Sequence, residues 1–320
     1  MTLTTAPAPP AAESPSSRPT YTVAVEHVTK RYGDRTVVDD LSFTVPPGRV
    51  TGFLGPNGSG KSTTMKIMLD LATANHGAAT IGGQRYRHLP DPARTVGAMI
   101  ESDAFHPGRS GRNHLRILAD ATGIAHARVD EMLEQVGLSD AADRKAGAYS
   151  LGMRQRLGLA AALMGEPPVL ILDEPGNGLD PQGIRTLREL LRSHAAHGGT
   201  VFVSSHLLSE VEHLADDVIV INQGHLVTCG SLAELQQSAA LVRSKDPTRL
   251  AQALQAAGAT TETHGPDGLI VRGMQIDEIG ERAFTIGIVV HELTPRAGSL
   301  EELFLNWTTG PSTNEEATAS

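Results

Sequence analysis

A stretch of nine residues, GPNGSGKST, carries the clearest chemistry in the sequence. A glycine, four residues and then Gly-Lys-Ser is the spacing of a phosphate-binding loop. The glycines let the backbone turn tightly, and a helix that begins near Lys61 adds the positive end of its dipole. Lys61 is expected to reach the β- and γ-phosphates, and the Ser62 hydroxyl is expected to ligate Mg²⁺. The predicted nucleotide-binding residues here are Gly55, Pro56, Asn57, Gly58, Ser59, Gly60, Lys61, Ser62 and Thr63.

A pair of acidic residues supplies the second part of this chemistry. The apolar run Val169–Leu172 is typical of a buried parallel strand, and it ends at Asp173 and Glu174. At the carboxyl end of that strand Asp173 can hold Mg²⁺, and Glu174 can polarise an attacking water. The plainer alternative is an exposed acidic turn, and it is disfavoured because the apolar strand aims the pair inward.

Two further side chains have both a structural and a functional interpretation. His206 follows the buried run Thr200–Ser204. A lone histidine at a strand end is more often structural, but this one could reach a γ-phosphate. Tyr32 lies in a predicted turn at Lys30–Asp34, where it is either a surface tyrosine or a platform for a purine ring. Alongside the phosphate loop, we favour the functional interpretation of both.

Ser150 has the spacing of an N-cap in the segment YSLGMRQR, which precedes a helix through Leu157–Met164. The simpler interpretation is a capped helix. The more specific one is a second helix terminus that binds phosphate.

Hydrophobic periodicity and turn residues predict the elements that must position these side chains. A strand at Arg49–Leu54 and a helix at Thr63–Leu71 flank the phosphate loop, as the motif requires. The other predicted elements are antiparallel strands at Tyr21–Val28 and within Thr36–Val45, a strand at Val96–Glu101, helices at Ser110–Gly123 and Val129–Val136, and a hairpin of Val218–Ile221 with His225–Thr228.

The composition limits the class of protein. The chain has 320 residues, of which 40% are hydrophobic, which suits one large domain and a smaller one. A net charge of −9 argues against a nucleic-acid-binding surface. The single cysteine, Cys229, rules out an internal disulfide and is consistent with a cytosolic location. There is no apolar run of 18 residues and no secretory signal, so a membrane role would require a partner.

The sequence pattern of the C-terminal part predicts a ferredoxin-like order of elements, β-α-β-β-α-β, followed by a final helix. Ser299 and Glu302 have the spacing of a capping box at the start of that helix. The six elements are Ala240–Ser244, Asp246–Gly258, Thr260–His264, Leu269–Gly273, Asp277–Thr285 and Ile288–Leu293.

Together these motifs resemble an ATP-binding cassette (ABC) ATPase, over roughly Tyr21–Gln236. GPNGSGKST is similar to the Walker A motif, YSLGMRQRL to the family signature and VLILDEP to Walker B. Gly178-Leu179-Asp180 is similar to the D-loop and SSH to the switch histidine. The resemblance implies an α/β fold: a P-loop NTPase cassette with a RecA-like parallel-sheet core, an antiparallel β subdomain and a helical subdomain. A small α+β accessory domain would follow.

The resemblance also implies a mechanism with ATP and Mg²⁺ as cofactors. Two cassettes, here expected to be a homodimer, would close head to tail, so that Ser150 and Gly152 bind the γ-phosphate in trans. Glu174 would be the general base and His206 the γ-phosphate sensor. Asp180 would link the two sites across the interface. ATP would close the dimer, and hydrolysis would reopen it.

Three positions depart from the usual family pattern. The signature has Leu151 in place of a glycine and Met153 in place of a glutamine. Glu101 aligns with the glutamine of the Q-loop, where its carboxylate could ligate Mg²⁺ or water. Similar variants are common in ABC-2-type exporters, such as those resembling bacitracin- and daunorubicin-resistance ATPases, so the chain resembles that subgroup.

The leading hypothesis is therefore the ATPase subunit of a bacterial exporter of a drug, peptide antibiotic or lipid. It would lie at the cytoplasmic face of the plasma membrane, bound to a separately encoded permease. The alternatives are a cassette protein that acts on DNA or the ribosome and a nucleotide-binding regulator with little hydrolysis. The expected domains are a disordered tail at 1–19, the cassette at 20–236 with a helical insert at 101–149, the accessory domain at 237–308 and a disordered tail at 309–320.

Overall fold

The computed structural model describes residues 19–100, 104–236, 239–296, Leu300 and Phe304. Its strands are β1 Val23–Tyr32, β2 Arg35–Val45, β3 Val50–Leu54, β4 His76–Ile81, β5 Val96–Met99, β6 Val169–Leu172, β7 Thr200–Ser204, β8 Asp217–Asn222, β9 His225–Ser231, β10 Ala239–Ser244, β11 Thr260–His264, β12 Gly268–Arg272 and β13 Val290–Arg296. Its α-helices are α1 Lys61–Met68, α2 Pro92–Thr95, α3 Gly111–Thr122, α4 Ala127–Gln135, α5 Leu151–Leu163, α6 Pro181–Ala196, α7 Leu208–Leu214, α8 Leu232–Gln236, α9 Pro247–Ala256 and α10 Ile276–Thr285. Short 3₁₀ turns occupy Tyr86–His88, Ser139–Ala141 and Ala146–Ala148.

A six-stranded sheet in the order β5-β6-β7-β3-β8-β9 forms the centre of the molecule. Neighbouring strands are parallel except β8 and β9, which form the predicted hairpin. The three middle strands β6, β7 and β3 are buried along their whole length, which explains their continuous apolar sequences. Since parallel strands end at the same edge of a sheet, the loops that follow these three strands lie side by side.

A second, antiparallel sheet in the order β2-β1-β4 covers part of the first. Tyr32 pairs with Arg35, so β1 continues to the end of the hairpin and only Gly33 and Asp34 form the turn. The predicted turn at Lys30–Asp34 was therefore too long. The side chains at this end of the hairpin are mostly exposed, so polar residues there do not interrupt the backbone pairing.

Three phenylalanines join the two sheets. The rings of Phe43 in β2, Phe53 in β3 and Phe202 in β7 pack with centroids 4.9 to 5.7 Å apart. All three are buried, and their tilted ring arrangements fall within the favoured range for aromatic pairs. This cluster fixes the antiparallel sheet above the strand that leads into the phosphate loop.

The segment between β5 and β6 is mostly helical, as the sequence predicts. Leu115 of α3 and Met132 and Leu133 of α4 pack with Leu157 of α5 in one buried cluster. The helix α5 begins at Leu151, directly after the predicted cap Ser150, whereas the apolar run alone indicated only its second half. The Ser150 hydroxyl accepts a hydrogen bond from a backbone N–H of the first turn that would otherwise have no partner in the helix, so the helix extends through the polar signature segment.

A glycine allows α5 to lie against the central sheet. A Cβ atom built on Gly97 of β5 would lie 2.0 Å from the carbonyl oxygen of Ala162 in α5. Gly158 of the same helix makes a similar approach, since its Cβ would lie 3.0 Å from the sulfur of Met99. The orientation of the signature helix therefore depends on the absence of a side chain at Gly97.

We expect Gly97→Ala to destabilise the protein by about 1–3 kcal/mol, because the helix must shift to admit one methyl group. The matched control is Gly280→Ala in α10, where the new Cβ would meet only Leu293 Cδ2 at 3.5 Å. That substitution should be neutral or stabilising by up to about 1 kcal/mol, because alanine favours helix more than glycine does. Urea unfolding followed by circular dichroism measures both. Equal stability of the Gly97→Ala variant and the unmodified chain would contradict the close packing.

The C-terminal part forms an antiparallel sheet in the order β11-β12-β10-β13. Its chain order, strand, α9, two strands, α10 and strand, is the predicted ferredoxin-like sequence of elements. Val242 and Val271 of the sheet pack with Leu250 and Ile279 of the helices in a separate core. The proposed capping box at Ser299 and Glu302 lies outside the described residues, as do residues 1–18 of the first predicted tail and all of the second, 309–320.

The chain returns from this sheet to the central one. Leu300 is fully buried among Leu54, Val211 and Val218, residues that belong to β3, α7 and β8. Its backbone N–H donates to Glu212 Oε1 of α7 at 3.3 Å. The C-terminal part therefore contributes to the core that supports the phosphate-loop strand.

Candidate active site

The loop between β3 and α1 has the backbone shape that its glycines predict. Gly58 and Gly60 have φ angles of +79° and +108°, which are favourable only for glycine. A Cβ on Gly55 would lie 2.4 Å from the carbonyl oxygen of Ile221, and one on Gly60 would lie 2.8 Å from that of Val37. The loop is thus confined between β8 and β2, with its tip at residues 56–58 exposed.

Lys61 opens α1 and turns its side chain into this loop. Its ammonium nitrogen donates to the carbonyl oxygens of Gly55 and Pro56 at 2.6 and 3.3 Å, and the residue is only 6% exposed. Burial lowers the pKa of Lys61, and the nearby Glu174 and Asp173 carboxylates partly oppose this effect. A buried cation at a helix N-terminus without a side-chain cap is well suited to bind an anion.

Two hydroxyl groups complete the loop. Ser62 is exposed in the first turn of α1, next to the half-buried Thr63. The hydroxyl of Ser59 is buried and makes no hydrogen bond within the described part of the chain. Such an unsatisfied group next to Lys61 fits a loop that takes a polar ligand such as a polyphosphate.

Asp173 and Glu174 follow β6 on the same edge of the sheet. The Asp173 N–H donates to the carbonyl oxygen of Met99 at 2.7 Å, which aligns the start of the loop with β5. Glu174 has a φ angle of +49°, an unfavourable conformation for a residue with a side chain. Because this conformation is strained, contacts with neighbouring residues must hold the Glu174 backbone in place, and the backbone in turn sets the direction of the carboxylate.

His206 lies at the end of β7, close to Glu174. Its Nδ1 is 3.1 Å from Glu174 Oε2, and both side chains are partly exposed. The structure therefore places Lys61, Asp173, Glu174 and His206 around one site, as the sequence predicted. A carboxylate that is hydrogen-bonded to a histidine beside a phosphate-binding loop can activate water for phosphoryl transfer.

The residues of the signature segment form a second cluster. The Ser150 hydroxyl accepts a hydrogen bond from the Met153 N–H at 3.3 Å, which confirms it as the N-cap of α5. A Cβ on Gly152 would lie 2.7 Å from the carbonyl oxygen of Gly178, and one on Gly178 would clash with the side chain of Leu151. The signature thus packs directly on the loop that follows Glu174.

Asp180 holds the other side of this cluster. It caps α6 by accepting from the Gly183 N–H at 3.1 Å, and it also accepts from Arg156 Nη2 at 2.5 Å. The pKa of the Asp180 carboxyl is lowered, first by the hydrogen bond from Gly183 and also by Arg156.

Tyr32 lies at the far end of the β1–β2 hairpin and is 52% exposed. The ammonium group of Lys30 lies 4.7 Å from the centre of its ring and donates to the carbonyl oxygen of Thr73. The same hairpin passes over the phosphate loop at Val37, which approaches Gly60. An exposed ring on the hairpin that also contacts this loop is compatible with stacking on a base.

Mg²⁺ would find oxygen donors at this site. Ser62 and Asp173 offer a hydroxyl and a carboxylate, which suits an ion that prefers oxygen and retains several waters. Glu101, the third predicted ligand, lies outside the described residues. In the described part of the chain, no group of three or more His, Cys, Asp or Glu side chains could enclose a metal ion.

Several contributors to the site were not singled out in the sequence. Ser204 contacts both acidic residues that follow β6, Arg156 binds Asp180, and Glu210 accepts from Ser205 at 3.2 Å beside His206. Each interaction joins segments that are apart in sequence or on different elements. Ser204 meets the acidic residues because β7 pairs with β6, and Arg156 meets Asp180 because α5 packs near the start of α6. Such contacts between distant elements cannot be found from a single sequence.

The fold and the site define an ATP-binding cassette, and a family model described as ABC transporter matches residues 38–177. The chain is 44% identical to the bacitracin transport ATP-binding protein of Enterococcus faecalis, over 68% of this chain and 71% of that protein. It is 36% identical to an uncharacterized ABC transporter ATP-binding protein of Bacillus subtilis (strain 168), over 89% and 95% of the two chains. The chain therefore belongs to the ATP-binding proteins of ABC transporters. It binds ATP, and its activity is ATP hydrolysis coupled to transport.

Other comparisons agree with this assignment. The Nod factor export ATP-binding protein I of Burkholderia lata is 37% identical over 77% of this chain and 84% of its own length. A solved structure of an ATP-binding subunit of an ABC transporter matches with a TM-score of 0.62 and 29% identity, over 67% of this chain and 91% of that one. A second family model, described as a domain of unknown function, matches residues 238–301. These findings confirm the predicted family and fold class.

Proposed function

We propose that this chain energises a bacterial exporter by closing on ATP and Mg²⁺ as a homodimer and reopening after hydrolysis. The observation that carries the proposal is the convergence of Lys61, Glu174 and His206 at one edge of the sheet, with a 3.1 Å contact between the last two. A cation that binds phosphate, a carboxylate that acts as base and a histidine that contacts this base are the groups needed to activate a water for attack on a γ-phosphate.

Each residue at this edge has a role in the proposal. The backbone of residues 55–60, with Lys61 and Thr63, binds the phosphates. Ser62 and Asp173 hold Mg²⁺, which would supply charge neutralisation and orientation of the phosphates. Glu174 takes the proton of the attacking water, and His206 senses the γ-phosphate. Tyr32 stacks on the adenine ring.

The signature cluster is proposed to act on the partner cassette. Ser150 and Gly152 bind the γ-phosphate held by the other copy, since Ser150 begins a 13-residue helix whose N-terminus attracts anions. Asp180 lies at the start of α6, on the loop that continues from Glu174, and would connect the two sites.

Substituting Ser150 separates its two roles, capping α5 and binding phosphate. Ser150→Ala should lower the stability of the protein by about 1 kcal/mol, because it removes the N-cap. Ser150→Asp keeps the cap but places a negative charge next to the partner's γ-phosphate. If Ser150 binds phosphate in trans, both variants lose the ATP-dependent dimer, measured by light scattering in a Glu174→Gln background. Normal dimerisation of Ser150→Asp would limit Ser150 to its capping role.

The names of the relatives support a proposal for the cargo and the location. Named relatives carry out bacitracin transport, lantibiotic transport and Nod factor export. We therefore propose a drug, a peptide antibiotic or a lipid as cargo, and a place at the cytoplasmic face of the plasma membrane on a separately encoded permease.

None of the helices in the described ranges is sufficiently long and apolar to cross a bilayer. The proposed cassette spans 20–236, its insert at 101–149 meets the permease, and residues 237–308 form the accessory domain.

The purified chain tests the central part of this proposal. Phosphate release should require Mg²⁺, and light scattering should detect a dimer when ATP is present. The proposal fails if adenine nucleotides bind with no dependence on Mg²⁺, or if turnover proceeds with a strictly monomeric chain. Tight binding to DNA or to ribosomes at physiological salt would instead favour a cassette protein outside transport.

A further inference from the structure

One buried hydroxyl group contacts both acidic residues of the site. The Ser204 Oγ donates to Asp173 Oδ1 at 2.5 Å and accepts from the Glu174 N–H at 2.9 Å. Ser204 is fully buried at the end of β7, and the preceding residue, Val203, pairs with Leu172 at the end of β6. The hydroxyl therefore bridges the two strands at the point where the acidic pair leaves the sheet.

Each of the two hydrogen bonds controls a different group. The bond to Oδ1 fixes the rotation of the Asp173 carboxylate, and a carboxylate has a second oxygen that remains available for a cation. The bond from the Glu174 N–H holds the backbone of a residue whose φ angle is +49°. Such strained conformations persist only where surrounding contacts stabilise them. Ser204 supplies one of these contacts.

We infer that Ser204 is a positioning residue that orients the Asp173 carboxylate toward the metal and holds Glu174 in its strained backbone conformation. The inference rests on the proposed roles of Asp173 in binding Mg²⁺ and of Glu174 as the base. A hydrogen bond to a ligating carboxylate fixes its direction, and loss of such a bond typically reduces metal affinity or activity about 10- to 100-fold. The hydrogen bonds of this hydroxyl go to Asp173 and Glu174, and we expect the nucleotide-binding groups of the phosphate loop to stay in place without it.

The alternative is that Ser204 only fills space in the sheet. A nearby residue provides a control for this possibility. Thr51 on the neighbouring strand β3 is also buried, and its hydroxyl makes no hydrogen bond within the described residues. Thr51→Val therefore removes a buried hydroxyl from the same sheet without breaking a contact to the acidic pair.

The experiment compares Ser204→Ala, Ser204→Cys, Ser204→Thr and Thr51→Val in the full chain. A fluorescent ATP analogue, labelled on the ribose, reports nucleotide binding across a Mg²⁺ titration and in EDTA, independently of turnover. For Ser204→Ala we expect the Mg²⁺ concentration at half-maximal binding to rise roughly tenfold and kcat to fall roughly 10- to 100-fold. Binding in EDTA should be unchanged. Thr51→Val should match the unmodified chain in all three measurements.

The other two variants separate hydrogen bonding from volume. Ser204→Cys keeps the size but is a weak hydrogen-bonding group, so it should behave like Ser204→Ala. Ser204→Thr keeps the hydroxyl and should recover most of the Mg²⁺ response. The inference is overturned if Ser204→Ala has a normal Mg²⁺ titration, or if Ser204→Cys restores it. Failure of the unmodified chain to respond to Mg²⁺ would instead reject the proposed function.

Discussion

Replacing Glu174 with glutamine is expected to reduce ATP turnover by about 10²–10⁴-fold while ATP binding is retained. Glutamine has nearly the same shape, and its amide oxygen can still meet His206, which contacts Glu174 Oε2 at 3.1 Å. It cannot accept the proton of the attacking water. The substitution also removes a negative charge near Lys61, so the bound ATP should be held at least as tightly as before.

A dimer that is closed by ATP should consequently accumulate in the Glu174→Gln variant. Light scattering in ATP and Mg²⁺ measures the dimer, and phosphate release measures turnover. The control is Glu189→Gln, which changes the same chemical group at an exposed position of α6 and should have no effect on either measurement. Turnover at the normal rate in the Glu174→Gln variant would show that another group acts as the base.

Lys61→Met should have the second largest effect, a reduction of about 10²–10³-fold in kcat, with weaker ATP binding. The ammonium group lies inside the phosphate loop, 2.6 Å from the carbonyl oxygen of Gly55, so it is already in place for a phosphate. Methionine matches the length of the apolar stem and removes the ammonium group, with its charge and its hydrogen bonds to the Gly55 and Pro56 carbonyl oxygens. Phosphate release and equilibrium nucleotide binding give the two quantities.

The stability of the Lys61→Met variant distinguishes this effect from unfolding. Burial lowers the pKa of Lys61 in the folded chain, so folding disfavours its charged form at every pH below that pKa. Removing the charge relieves this cost, whereas losing the donor to the Gly55 and Pro56 carbonyl oxygens costs about 1–3 kcal/mol, so the free energy of unfolding at neutral pH should fall by no more than about 3 kcal/mol. Loss of ATP binding together with a large loss of stability would contradict the proposed phosphate contact. Thr51→Val, at a buried position in the adjacent strand, is the matched control.

Much of the site could be predicted because its parts are short segments of sequence. The nine residues 55–63 specify their own turn, and apolar runs identify β6 and β7 together with the polar residues that follow them. Placing the three loops next to each other required only that these strands be parallel and adjacent. The order of strands in the sheet was not predicted, because apolar runs do not reveal which strand is next to which.

Other features depend on pairings that a single sequence does not display. Ser204 was predicted only as the last residue of an apolar strand, and its bonds to Asp173 and Glu174 depend on the register between β6 and β7. The ion pair of Arg156 with Asp180 joins two helices, and its residues are 24 positions apart in the sequence. The end of β1 was misjudged at Lys30–Asp34, because polar residues at an exposed hairpin end look like a turn.

The return of the chain at Leu300 has a practical consequence for dissecting this protein. Leu300 is fully buried in one cluster with Leu54, Val211 and Val218, which all precede position 237. A truncated chain that stops at Gln236 would lose Leu300 and expose part of this cluster to water, next to the strand that leads into the phosphate loop. Low solubility or poor activity of that fragment could then result from the lost packing of Leu300 alone. Such a result would not show what residues 237–308 contribute to transport.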